Sequence, residues 1–103
     1  MTTIDGSAVR KLVVACDAGM GSSVMLASTV RKQLAKTQVE VSHTPVAEIP
    51  ADADVVLTHQ GLAERARAQA PGVPVVPFAL FLGDPAVTKV VNAIKDGTTI
   101  DVA

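Results

Sequence analysis

Residues 16–23 read Cys-Asp-Ala-Gly-Met-Gly-Ser-Ser, and Cys16 is the single cysteine of the chain. Gly19 and Gly21 permit a tight turn in which backbone N–H groups converge without Cβ obstruction. Ser22 and Ser23 add hydroxyl donors. A helix starting near these serines adds its own free N–H groups and partial positive charge at the same place. The loop from Asp17 through Ala18, Gly19, Met20 and Gly21 to Ser22 and Ser23 therefore suits a tetrahedral dianion. The same donors favour sulfur as the thiolate, its nucleophilic form. A thiolate beside a dianion cradle is equipment for phosphoryl transfer through phosphocysteine, with Cys16 as the catalytic residue.

Other chemistries for this loop fail on particular residues. No G-x-x-x-x-G-K-[ST] run is present, so a nucleotide P-loop is excluded. A second thiol is missing, which excludes Cys-x-x-Cys redox chemistry, an internal disulfide and a multi-thiolate metal site. No metal and no cofactor are expected. The protein-tyrosine-phosphatase loop places Arg after five residues beyond its Cys, and Ser22 stands at that position here. Without the guanidinium, transition-state charge is poorly clamped and hydrolysis should be slow. Slow hydrolysis suits a carrier that must hold its phosphoryl group until a partner takes it.

Short strands and helices must position this loop. The run 11–16, Lys-Leu-Val-Val-Ala-Cys, is continuous and apolar, the pattern of a strand buried on both faces. In 22–37, Leu26, Val30 and Leu34 recur at steps of four with basic residues collecting at the end, as in an amphipathic helix. Residues 38–43 alternate and read as an edge strand, 54–59 as a third strand, 60–70 as a short helix and 73–78 as a fourth, proline-bearing edge strand. Between them, 44–53 is turn chemistry with room for one helical turn. Asp84 as N-cap, Pro85 at the first helical position and Gly97 as C-cap bracket a final helix. The order predicts an α/β fold, a three-layer open sheet of four parallel strands with helices on both faces, Rossmann-like and similar to low-molecular-weight phosphatases. One domain over 1–103 is expected, with about 1–10 and 98–103 as loosely ordered ends. Sites in such sheets gather at the carboxyl ends of the strands, where Cys16 falls.

Nine basic against ten acidic residues and only two aromatics leave no electrostatic footprint and no stacking platform for nucleic acid. No stretch reaches the ~18 apolar residues of a membrane span, so direct membrane insertion is not expected. A lone free thiol fits a reducing cytoplasmic setting.

The segment 13–23, Val-Val-Ala-Cys-Asp-Ala-Gly-Met-Gly-Ser-Ser, together with 54–66, Asp-Val-Val-Leu-Thr-His-Gln-Gly-Leu-Ala-Glu-Arg-Ala, resembles the mannitol-type IIB component of the bacterial phosphotransferase system. The resemblance runs over roughly 11–96. Ascorbate-type IIB proteins have a similar loop, and the second segment favours mannitol. The resemblance implies that Cys16 receives a phosphoryl group from phosphohistidine of a IIA domain and passes it to a sugar held by a membrane IIC domain. It also implies a place at the inner face of the cell membrane through IIC. Two other functions stay open: a hydrolase of the low-molecular-weight phosphatase or arsenate-reductase kind, and a regulatory IIB-like module.

Several side chains carry two readings. Asp17 fits loop tuning or a plain turn. Both His43 and His59 follow strands; His59, inside the second segment, is the stronger candidate accessory residue, against a capping role, and His43 the weaker. Met20 and Met25 could form a soft docking surface, with Met25 expected in the core. Phe78 and Phe81 are expected to pack rather than to dock a partner. Asp84-Pro85 is similar to the general-acid Asp-Pro of low-molecular-weight phosphatases, but helix capping is the preferred account.

Overall fold

Four runs rich in β-branched residues form one parallel sheet. The computed structural model describes residues 2–16, 21–79 and 84–102. Strands β2 (Lys11–Cys16), β3 (Glu40–Pro45), β4 (Val55–His59) and β5 (Val75–Phe78) lie in the order β3-β2-β4-β5. They are joined by α1 (Gly21–Gln33), α2 (Ala63–Gln69) and α3 (Pro85–Asp96), with 3-10 turns at Val46–Glu48 and Gln60–Leu62. The expected α/β architecture is what forms. Its physical origin is plain in the two central strands, where Leu12 to Cys16 and Val55 to Thr58 are all buried, because each is covered from both sides.

Alternation along the strands sorts the core into two layers. Leu12, Val14, Val41, Val55, Leu57, Val76 and Phe78 face α1 and α3, meeting Leu26, Val30 and Leu34 of the first helix and Val87, Val90, Val91 and Ile94 of the last. Val13, Ala15, Val56 and Val75 face the other way, against Ala63 and Ala66 of α2 and Val46 and Ile49 of the turn. Small residues on α2 let that short helix lie close to the sheet. Phe78 is packed in the first layer, as expected; Phe81 lies outside the described residues. The edge assignments also hold. Pro77 of β5 has only β4 as a neighbour, so its missing N–H costs no ladder bond on the open side.

Asp54 starts the sheet. Its Oδ2 accepts the backbone N–H groups of Arg10 at 2.8 Å and Lys11 at 2.9 Å, fixing the entry of β2 beside β4. The Lys11–Asp52 ion pair at 3.1 Å is mostly solvated on its Asp52 side and adds little. Helix α3 is bracketed as its sequence dictates: Asp84 accepts from the Ala86 amide, Pro85 opens the helix and Gly97 turns the chain with φ 70°.

The chain ends depart from expectation. Thr2–Asp5 forms β1 and pairs antiparallel with β6 (Thr99–Val102), Ile4 standing directly opposite Ile100. Neither segment carries a strand pattern of any length, but the facing isoleucines supply a cross-strand pair that packs with Val9 into the first core layer. Between β1 and β2 the 3-10 turn Gly6–Ala8 is capped by Asp5, whose carboxylate accepts from the Ser7 hydroxyl at 2.7 Å and the Ser7 amide at 3.0 Å. These bonds, the hydroxyl's first, hold the Asp5 carboxyl below its ordinary pKa. Their stabilising contribution is present above the unfolded value and fades as pH falls through the lowered one.

Met25 is the other correction. It is 59% exposed, and Val24 beside it 55%. Leu26, Ala27, Val30 and Leu34 occupy the sheet-facing stripe of α1, and residue 25 shares the outward stripe with Thr29, whose hydroxyl donates to the Met25 carbonyl.

Candidate functional site

Chain direction changes at β2 and β4. From β2 the chain turns through α1 to β3 on one side; from β4 it turns through α2 to β5 on the other. The carboxyl ends of β2 and β4 therefore flank the crevice where open α/β sheets bind ligands. Cys16 ends β2 and His59 ends β4.

The thiol is not alone at this edge. Cys16 Sγ and His43 Nε2 lie 3.0 Å apart. The register explains the meeting: Val14 pairs with His43 and Cys16 with Pro45, so His43 projects to the same face as Cys16, one diagonal step along the neighbouring strand. Cys16 is 3% exposed, whereas His43 is half-buried. Sequence reasoning rated His43 below His59, and the structure puts His43 on the sulfur. A usable signal existed, for the alternation through Val39, Val41 and His43 fixes its face once β3 is known to lie beside β2.

The contacts described for His59 are those of a turn cap. Its Nδ1 accepts the Gly61 amide at 3.2 Å, and its ring meets Phe78 edge-on with centroids 6.1 Å apart. One step past the last paired residues, Ala15 and Thr58, the register brings it level with Cys16.

Helix α1 begins at Gly21, one residue before the serines expected to start it. Its first-turn amides thus follow Cys16 after four residues. Asp17, Ala18, Gly19 and Met20 lie outside the described residues, as do the side chains of Ser22 and Ser23.

Support beneath the site comes from Thr58, which is fully buried and donates through Oγ1 to the Ala15 carbonyl at 3.0 Å. That bond ties β4 to the residue preceding the thiol. Thr58→Val keeps the volume and removes the bond, so unfolding in urea should show a loss of about 1 kcal/mol. An unchanged midpoint would mean the bond contributes nothing.

Asp84 is a structural group. It is 7% exposed; Oδ1 accepts the Ala86 amide at 2.8 Å and Oδ2 the Ala79 amide at 2.7 Å. Both oxygens are thus engaged by backbone donors, as capping requires. Asp84→Ala leaves two amides without this acceptor, and a loss of about 2 kcal/mol is expected in the same measurement. A loss below a few tenths would refute the cap's importance.

The family described as "PTS system, Lactose/Cellobiose specific IIB subunit" matches residues 11–93. Among curated proteins, the "PTS system mannitol-specific EIICB component" of Geobacillus stearothermophilus is 40% identical over 89 residues, covering 84% of this chain and 19% of that protein. The "PTS system mannitol-specific EIICBA component" of Escherichia coli K12 is 43% identical over 83 residues, covering 78% of this chain and 13% of that protein. The Vibrio cholerae counterpart of the same description is 44% identical over 81 residues, 77% of this chain and 12% of its own length. The chain thus spans less than a fifth of these relatives. Among the described residues no helix is long and apolar enough to cross a membrane. With 11–93 matched from the first residue of β2 into α3, the chain belongs to the IIB subunit family of the sugar phosphotransferase system.

Proposed function

We propose that this chain carries a phosphoryl group on Cys16, accepting it from phosphohistidine of a IIA domain and passing it to a sugar or sugar alcohol held by a membrane IIC domain. The observation that supports this best is the thiol at the switch-point end of β2, in contact with an imidazole and followed within five residues by the start of α1. A helix N-terminus favours the dianion that a loaded Cys16 would present. Asp17 to Ser23 form the phosphate-binding loop in this reading, and His59 is an accessory group at the rim. Val24 and Met25, exposed on the first turns of α1, would give partners an apolar margin near the start of that helix.

Mannitol is the proposed acceptor, because the relatives quoted above are described as mannitol-specific. Those relatives combine IIB with IIC, or with IIC and IIA, in one name; IIA and IIC partners and a place at the cytoplasmic face of the membrane are proposed for this chain on that basis. The hydrolase alternative loses its general acid, since both oxygens of Asp84 accept backbone amides.

A panel of phosphorylated IIA domains tests the reading. Mannitol-type and lactose-type donors are incubated separately with the protein and followed by intact mass. One added phosphoryl group, acid-stable and iodine-labile, should arrive fastest from the mannitol-type donor. Preferential loading by the lactose-type donor would overturn the mannitol assignment, and label on histidine would overturn the carrier itself.

A further inference from the structure

We propose that His43 is a catalytic residue that takes the Cys16 proton as the sulfur is loaded. For its reaction the inference rests on the phosphocarrier reading; for its geometry it rests on the 3.0 Å approach of Nε2 to Sγ. That distance is within reach of direct proton transfer. The imidazole touches the reacting atom itself.

The position is built rather than incidental. His43 sits on a strand of the sheet, with its backbone held in register against Val14. Two residues earlier, the Val41 carbonyl accepts from Arg31 Nη2 at 3.0 Å, which ties this strand to α1. Rigid strands hold a thiol–imidazole pair better than a loop would. Among the described residues, Cys16 on β2 touches the imidazole, His59 on β4 lies level with Cys16, and Arg31 on α1 binds β3 two residues before His43. Lys32 follows on α1, Lys11 and Glu40 lie at the opposite ends of β2 and β3, and Glu48 sits in the turn after β3. Being half-buried, His43 can exchange its proton with solvent between turnovers.

The step balances as follows. The Sγ–H proton passes to His43 Nε2, and the freed sulfur electron pair forms the S–P bond. The donor's P–N bond breaks, its electron pair remaining on the donor imidazole. His43 is left as an imidazolium beside a phosphocysteine dianion, whose charge it offsets. When the S–P bond later breaks and its electron pair returns to sulfur, that proton is available to Sγ. General-base catalysis of this kind contributes about 10²–10⁴-fold.

The test uses His43→Gln and His43→Ala beside the wild-type chain, with far-UV circular dichroism confirming that all three are folded. Glutamine can donate a hydrogen bond to sulfur but cannot take up its proton; alanine does neither. Two rates are read for each: alkylation of Cys16 by iodoacetamide in the protein alone, and phosphoryl loading from a phosphorylated mannitol-type IIA domain. Near pH 6.5 both variants should alkylate about tenfold more slowly than wild type, and between pH 6 and 8 their rates should climb more steeply with pH, as an unassisted thiol does. Loading should fall about 10²-fold in both.

Equal rates in all three proteins would overturn the proposal. So would a glutamine variant as fast as wild type beside a slow alanine variant, because hydrogen bonding alone would then suffice. If wild type gains no phosphoryl group from the donor yet the variants still alkylate slowly, the carrier reading fails while proton uptake by His43 stands. If loading proceeds in wild type and the alkylation profiles coincide, the carrier reading stands and the role of His43 falls.

Discussion

Replacing Cys16 with serine should abolish phosphoryl uptake from a phosphohistidine donor, slowing it by on the order of 10⁴-fold or more, the scale at which losing a nucleophile acts elsewhere. A hydroxyl is nearly isosteric with a thiol, so the buried position at the end of β2 should stay filled and the fold intact. It also keeps a group able to hydrogen-bond the His43 imidazole. What it lacks is nucleophilicity near neutrality, since an alkoxide forms far less readily than a thiolate. Intact mass after incubation with phosphorylated IIA reads the result directly. Any residual adduct on serine would be an oxygen ester and would resist iodine. Uptake at the wild-type rate would remove Cys16 from the chemistry altogether.

The largest stability loss is expected far from the sulfur, at Gly6. This residue lies where the turn after β1 meets the backbone at the end of α3, its N–H donating to the Thr98 carbonyl at 2.9 Å. A Cβ at that position would overlap the Ala93 carbonyl and stand 2.8 Å from the Thr98 oxygen. Both obstacles are backbone, so neither can swing aside as a flexible side chain would. Gly6→Ala must therefore push the turn off α3 or shift the helix end, at a cost of about 3 kcal/mol, the upper range for overpacking. In a domain of this size the melting temperature should fall by roughly 15 °C. Phosphoryl loading at low temperature should be preserved, because Cys16 is at the other end of β2. An unchanged melting temperature would show that the close approach is not part of the folded state.

Much of the positioning was legible because its causes are local. Continuous apolar runs announced β2 and β4, prolines marked β5 as an edge, and Asp84, Pro85 and Gly97 bracketed α3. Cys16 fell at a strand's carboxyl end for the same reason. His43 was harder. Its nearness to the sulfur depends on which strand lies beside β2 and in which register, and no local pattern states either. The β1–β6 ribbon was missed on similar grounds: two four-residue segments at opposite ends of the chain supply one facing isoleucine pair, and neither looks like a strand alone. Met25 is apolar yet exposed because its angular position relative to Leu26 and Val30 turns it away from the sheet, which hydrophobicity alone does not reveal.

That ribbon has a topological consequence. Thr2 stands opposite Val102, and Ile4 and Asp5 line one small cavity with Asp54 and Pro74, the residues just before β4 and β5. The ribbon thus lies toward the amino ends of the parallel strands, whereas the thiol stands at the carboxyl end of β2. A brief glycine bridge across the pair would close the polypeptide into a ring. Opening that ring at the exposed Pro71–Gly72 bend would give a circular permutant that retains every hydrogen-bonded ladder.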